Sequence, residues 1–299
     1  SGTECDFSFK METLLAIAPK PVFLAVLVVV IGLLTYLPNL GQDIHLASHE
    51  GKHAEIAREI WKTGEYSVPH FNGQIYYDKP PLFHWLVAGS FAVSGRADLM
   101  SARLPSALSA VAGIMAVFVL GALLHSVRSG FIGALMLLST FLYAQWAVVC
   151  RMDMVMSSAL IWTVVFAVLA ARSKRQFARF FWIEMSGLAL AAATLSKGFV
   201  PLAVGAVLVL VTGAFLTERK RQAIIIFVFV LLTAVTISSV WVVSTFHADF
   251  LSGFWEFQSG GTGIISASGT LFWSSATVIV TCDPDARPSS KSAPLTRST

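Results

Sequence analysis

Four ionisable side chains stand out in a chain that carries few of them: Glu50, Lys79, Asp153 and Lys197. Two carboxylates and two lysines suit a reaction in which a hydroxyl loses its proton while negative charge builds on a departing group. A carboxylate that stays ionised within reach of the hydroxyl takes the proton. Lysine ammonium groups hold the growing negative charge as point charges. Ionisable residues in a membrane-spanning chain are costly, and they mark functional sites when they gather on one face or along one path. The question is whether the chain brings these four together.

The composition says what surrounds them. Of 299 residues, 56% are hydrophobic and 13% are charged, and the mean hydropathy is +0.72. A soluble domain carries about 25% charged residues, so lipid replaces water around much of this chain. The net charge of +4 comes from short basic clusters between apolar runs. That placement reads as topology signals and not as a nucleic-acid surface. Cys5, Cys150 and Cys282 have no metal-like spacing and leave one unpaired, which argues against a disulfide framework.

Apolar runs occupy residues 21–38, 81–95, 103–124, 129–149, 154–171, 178–195, 199–216 and 222–245, with a weaker one at 271–281. A spanning helix needs about 20 apolar residues, and about 17 at the low end, so 81–95 is short. Arg172, Lys174, Arg175 and Arg179 form one basic loop, Arg219, Lys220 and Arg221 another, and His125 and Arg128 a weaker third. With these loops in the cytoplasm, parity requires 81–95 to lie along the outer face as an interfacial or re-entrant helix. The expected fold is an all-α integral membrane protein with seven transmembrane helices. Glu50, Lys79, Asp153 and Lys197 then all fall on the outer side.

The first outer loop, 39–102, holds a second surface helix. Ile56, Ala57, Ile60 and Trp61 recur at helical spacing, with Ser48 as N-cap and Gly64 as terminator. A turn-rich stretch from Ser67 to Gly73 leads to Tyr76-Tyr77-Asp78-Lys79-Pro80-Pro81, and the prolines suit the start of the 81–95 helix. Residues 1–20 read as a cytoplasmic extension before a retained signal-anchor helix. The membrane module runs over 21–250, and 251–281 forms an outer loop with a further apolar segment. The Pro- and Ser-rich tail 282–299 reads as disordered, in the manner of a truncated or frame-shifted product.

A succession of motifs carries a family resemblance: Ser48-His49-Glu50-Gly51-Lys52-His53-Ala54-Glu55-Ile56-Ala57-Arg58-Glu59, then Val68-Pro69-His70-Phe71-Asn72-Gly73. It continues through Asp78-Lys79-Pro80-Pro81-Leu82 and Trp85 to Ala102-Arg103-Leu104-Pro105-Ser106, with Arg151-Met152-Asp153 and Ser196-Lys197-Gly198 later. In this order, over residues 15–250, it resembles the GT-C superfamily of membrane glycosyltransferases. Its nearest likeness is the branch of lipid A aminoarabinose transferases and protein O-mannosyltransferase-like enzymes. The resemblance implies a seven-span module at the inner membrane with surface helices in its first outer loop. It also implies transfer of a sugar from a polyprenyl-phosphate donor to a lipid, protein or glycan acceptor. Two departures stand out: His49 where the family carries Asp before Glu50, and Lys52-His53 where it carries Arg-Tyr. Relatives also run to about twice as many helices plus a soluble domain.

On this reading Glu50 is the base or, alternatively, a first-turn residue that complements its helix end. Lys79 and Lys197 hold the donor phosphate, or anchor their segments at the interface. Asp153 orients the acceptor, assists a metal or caps its helix. Arg58 and Arg103 bind phosphate or pair with Glu55 and Asp98. His49 and Asp78 complete the candidates. His45, His49, His53 and His70 fit no firm zinc pattern, which leaves only a divalent cation open as a cofactor. Two rival readings remain. A transporter or flippase would place its site at mid-membrane on broken, repeated helices, and a non-catalytic relative would bind lipid-linked sugar without turnover.

Overall fold

The computed structural model describes residues 21–41, 48–76, 78–217 and 220–244. The expected extension at 1–20, His45, and the segments 251–281 and 282–299 lie outside them, as do Arg219 and the side chain of His49. Helix α1 (Pro21–Tyr36) ends in a single 3-10 turn, Leu37–Asn39. The first loop then contributes α2 (Ser48–Thr63), a hairpin of β1 (His70–Phe71) and β2 (Gln74–Ile75), and α3 (Leu82–Ser94). The bundle continues with α4 (Leu99–Leu124), α5 (Val127–Ser139), α6 (Phe141–Ala147) and α7 (Asp153–Arg172). Helices α8 (Gln176–Lys197), α9 (Phe199–Leu216) and α10 (Lys220–Ser244) complete it.

Helices therefore stand at all seven expected positions, and the fold is that of an all-α membrane protein. Five of them, α4 and α7 to α10, are long and apolar enough to cross a membrane by themselves. Helix α1 has 16 residues, about 24 Å at 1.5 Å per residue, and is short for a span. The run expected as one helix over 129–149 is instead two, α5 and α6, bent by 70°. The cause is local. Ser139 and Thr140 both donate their hydroxyls to the Met136 carbonyl, at 3.0 and 2.9 Å. That carbonyl is the one the Thr140 N–H would need to continue the helix, and the N–H goes to Leu137 instead. The Tyr143 hydroxyl then donates to the Ala110 carbonyl at 2.8 Å and fastens α6 against α4.

The surface helices form as the apolar spacing requires. Ile56, Ala57 and Ile60 of α2 are buried with Phe83, Val87 and Phe91 of α3, and the cluster continues into Ala102, Cys150 and Val155 of the bundle. Gly64, at φ 73°, ends α2. Ser48 is the first residue of the helix and not its cap. The stretch Ser67–Gly73 becomes a tight hairpin in which Asn72 and Gly73 take positive φ, as a two-residue turn demands. Trp85 and Trp241 donate their indole N–H groups to the carbonyls of Tyr66 and Ser67, tying this loop to α3 and α10.

At the opposite end α4 and α5 nearly touch: a Cβ on Gly121 would fall 2.6 Å from the Gly130 Cα. We expect Gly121→Val to lower stability by about 1–3 kcal/mol, the usual cost of overpacking. A reduced thermal-unfolding temperature in detergent would register it. Gly89→Ala, with nothing within 4 Å of the added carbon, should leave that temperature unchanged, and equal losses in both variants would count against this packing.

Candidate functional site

Glu50 sits in the first turn of α2 and is 1% exposed; Arg103 of α4 is 3% exposed. Arg103 grips both carboxylate oxygens, Nε to Oε1 at 2.6 Å and a terminal nitrogen to Oε2 at 3.0 Å. The Cys150 N–H donates to Oε1 at 2.9 Å, and Arg103 also reaches the Leu40 carbonyl at 3.1 Å. One ion pair thus joins the end of the first helical segment, α2, α4 and the elbow before α7. Arg103 was expected to pair with Asp98 if not with phosphate, and its partner is Glu50. Asp98 precedes α4 and accepts from the Ser101 N–H at 2.8 Å as its N-cap. Partial burial opposes ionisation of Asp98, but the Ser101 bonds and the Arg96 guanidinium outweigh it and hold its pKa below the usual value.

A second cluster forms where α7 begins and α8 ends. Asp153 accepts from Lys197 Nζ at 2.5 Å and from Arg151 Nε at 3.0 Å. Its expected capping role is not realised. Met152 is the N-cap, without a side-chain bond, and the Asp153 carboxylate turns to its two cations instead. The Arg151 guanidinium lies over the Trp146 ring, 4.7 Å from its centroid. Ser106 of α4 locks the segment: the Arg151 N–H donates to its Oγ at 3.2 Å, and its hydroxyl donates to the Arg151 carbonyl at 3.0 Å. Cys150 and Arg151 are adjacent, so the two clusters share one stretch of backbone.

A third cluster surrounds Asp78. Lys79 Nζ lies 2.6 Å from Oδ1, and Lys52 Nζ lies 3.6 Å from Oδ2. The Tyr76 hydroxyl donates to Oδ2 at 3.0 Å, and the Lys52 ammonium sits 4.4 Å above the Tyr76 ring. Arg58 turns to Glu55, with a bond of 2.7 Å, as the pairing alternative requires.

Arg151, Lys52 and His84 were not among the candidates from sequence, and Arg151 entered only within the Arg151-Met152-Asp153 motif. Lys52 registered only as a departure from arginine. A basic residue near the N-terminal end of a helix runs against the macrodipole, and that was the available signal. His84, inside an apolar run, was passed over. It is fully buried, with its Nε2 3.1 Å from His53 Nδ1. Burial first, then the charges of His53 and Lys52, push its pKa well below 6.5. Among the described residues no three His, Cys, Asp or Glu side chains group as metal ligands.

An open apolar groove of about 590 Å³ lies between α4, α7 and α8. Leu108, Val155, Trp162, Phe166, Met185 and Leu188 line it, among others. From Val155, two residues after Asp153, to Phe166 it follows α7 for about 16 Å.

Removing one partner from a buried ion pair strands the other, at about 3–5 kcal/mol. Glu50→Gln and Arg103→Gln should each lower the unfolding temperature in detergent, whereas Glu50→Gln with Arg103→Met should recover part of the loss. Additive losses in the double variant would show that the two side chains do not act as a pair.

The same architecture occurs in solved structures. ArnT from Cupriavidus metallidurans in the apo state superposes with a TM-score of 0.68 at 24% identity, over 77% of this chain and 43% of that one. ArnT bound to undecaprenyl phosphate gives 0.62 at 23% identity. The undecaprenyl phosphate-alpha-4-amino-4-deoxy-L-arabinose arabinosyl transferase of Shewanella sediminis is 30% identical over 188 residues, 62% of this chain and 34% of that protein. A second transferase of that name, from Proteus mirabilis, is 26% identical over 75% of this chain and 40% of its own length. The chain thus spans between 34% and 40% of these two relatives. The sequence model of the dolichyl-phosphate-mannose-protein mannosyltransferases matches residues 78–243, more than half of the chain. With the GT-C membrane fold and this match over its bundle, the chain belongs to the dolichyl-phosphate-mannose-protein mannosyltransferase family.

Proposed function

We propose that this chain carries the membrane module of a glycosyltransferase that takes a sugar from a polyprenyl-phosphate donor. The sugar passes, with inversion at its anomeric carbon, to a lipid, protein or glycan acceptor at the outer face of the cytoplasmic membrane. The observation that carries this reading is the Asp153–Lys197–Arg151 cluster at the start of α7 and the end of α8, helices that also line an open apolar groove. Such a groove suits a prenyl chain, and the cations at the ends of the same helices suit a phosphate. The names of the relatives support the same donor class: arabinosyl transferases of undecaprenyl phosphate, and a homologous fold bound to undecaprenyl phosphate.

In this reading the acceptor oxygen attacks the anomeric carbon and the bond from that carbon to the phosphate oxygen breaks. The acceptor proton goes to a carboxylate, and polyprenyl phosphate leaves with one more negative charge. Lys197 and Lys79 stabilise that charge, which is largest as the bond breaks. Asp153 takes the proton as the phosphate draws Lys197 away from it. Glu50, the base suggested by the motif, stands behind Arg103 with 1% exposure, and in this reading it is a positioning residue for α2 and the elbow. The basic loops at the far end, Arg172 to Arg179 and Lys220-Arg221, set the orientation by the positive-inside rule. The charged clusters lie at helix ends on one side of the bundle, which favours this reading over a transporter.

Membranes containing the chain, assayed with a panel of radiolabelled undecaprenyl-phosphate sugars, test the proposal. Asp153→Asn should lower kcat by about 10²- to 10⁴-fold, the range of a general base, with KM little changed. Glu50→Gln should lose activity only in proportion to the folded protein lost. A folded Glu50→Gln protein without activity beside an active Asp153→Asn would exchange the two roles. No transfer by the wild type, with undecaprenyl phosphate still bound, would reduce the module to a lipid-binding relative.

A further inference from the structure

The end of the bundle opposite the three clusters consists of the last turns of α4, α7 and α9 and the first turns of α5, α8 and α10. Its connecting segments, 123–130, 172–180 and 217–221, carry eight Lys and Arg residues against one acid, Glu218. The positive-inside rule counts such charges and is indifferent to where in a loop they stand. Here several stand where a helix disfavours them. Arg128 lies in the first turn of α5, Arg179 in that of α8, and Lys220 and Arg221 open α10, while none of these turns holds an acidic residue. A cation there works against the macrodipole. Every ion pair among the described residues lies elsewhere. The Arg172 and Arg179 guanidinium groups donate to the carbonyls of Leu123 and Ser173. The Arg179 Nε is buried without a hydrogen-bond partner among the described residues. Beside the charges, Phe177 and Phe215 are both 85% exposed. Helices α8 and α10 run side by side from this end: the Phe180 and Phe229 rings lie 6.4 Å apart, and Gly187 lets Thr233 approach.

We propose that this face binds phospholipids whose headgroups carry a net negative charge, with a lipid phosphate held by the first turns of α8 and α10. The cations and the helix ends, opposed to each other in the bare protein, favour the same anion. A phosphodiester suits the planar fork of Arg179, whose Nε lacks an acceptor, and the ammonium group of Lys220. The unpaired N–H groups and positive dipole ends of the two first turns add to that attraction. With the anion in place, repulsion among neighbouring cations gives way to shared attraction. The exposed rings of Phe177 and Phe215 supply apolar contact for the start of acyl chains, which selects a lipid over a free phosphate. The excess of cations selects an anionic headgroup over a zwitterionic one. This surface stands at the other end of the helices from the proposed transfer site and does not depend on the polyprenyl-phosphate reading.

The full chain purified in neutral detergent has no membrane orientation left to choose, so binding measured there is separate from topology. The probe is a fluorescent phosphatidylglycerol, competed by unlabelled phosphatidylglycerol, phosphatidylcholine or inorganic phosphate. Phosphatidylglycerol should compete at least about tenfold more strongly than phosphatidylcholine. Lys220→Gln should weaken phosphatidylglycerol binding by about fivefold, the worth of one cation at such a surface, and Lys220→Arg should retain it. Arg179→Gln should cost about as much, and because Arg179 also holds the Ser173 carbonyl, the exposed Lys220 gives the cleaner variant. Lys62→Gln, in the last turn of α2 at the other end, should change nothing. Equal competition by the two phospholipids would overturn the proposal, as would unchanged affinity in a Lys220→Gln, Arg221→Gln double variant. A loss in Lys62→Gln equal to that in Lys220→Gln would replace the site with diffuse attraction to the whole chain. Inorganic phosphate competing as strongly as phosphatidylglycerol would make this a free-anion site and overturn the assignment to lipid.

Discussion

A carboxylate and a guanidinium with almost no access to water hold one end of this bundle together. Moving each charge out of water costs several kcal/mol, and the pair stands only if geometry and further hydrogen bonds offset that cost. Here both Glu50 oxygens are met by Arg103, and the Cys150 N–H and the Leu40 carbonyl take up further polar capacity. The pair adds more in specificity than in net energy. It admits one arrangement of α2 on α4, because any other would leave a charge buried alone.

The other clusters inherit their positions from that arrangement. Cys150 is bonded to Glu50, so the next residue, Arg151, is fixed in backbone, and Ser106 fixes it again from one turn beyond Arg103. Asp153 follows at the start of α7 and draws Lys197 from the end of α8. On the other side, α2 carries Lys52 to Asp78. His53, one turn from Glu50, meets His84 of α3 in the buried layer beneath. That imidazole pair packs α2 to α3, and burial first, then the charges of His53 and Lys52, hold the His84 pKa low.

Much of this was legible in the sequence because it depends on patterns that local chemistry enforces. Run length and basic loops yielded the helix positions and the common end for Glu50, Lys79, Asp153 and Lys197. Gly64 and Asn72-Gly73 marked their turns through the backbone conformations they permit. Pairing was not legible. Arg103 lies five residues from Asp98 and 53 from Glu50, and only the fold brings the distant partner near. The bend at Thr140 was hidden for another reason. It comes from two hydroxyls competing for one carbonyl inside an apolar run, which hydropathy does not register. Trp85 and Trp241 also anchor the hairpin loop, a role set by where two carbonyls happen to lie.

The two polar clusters beside the buried pair share one stoichiometry: Arg151, Lys197 and Asp153 in one, Lys52, Lys79 and Asp78 in the other. Each sets two cations on one carboxylate. Cations alone at the edge of a low-dielectric bundle would repel one another and lose their geometry before any ligand arrived. A single shared carboxylate keeps them ordered, yet leaves an excess of cations that attracts an anion. The same carboxylate limits how tightly the anion is held. Under the function proposed above that limit is a gain, because cations without it would bind the departing phosphate most strongly when it has to leave. The bidentate Glu50–Arg103 pair has no such surplus, and its neutrality suits the structural role that its burial gives it.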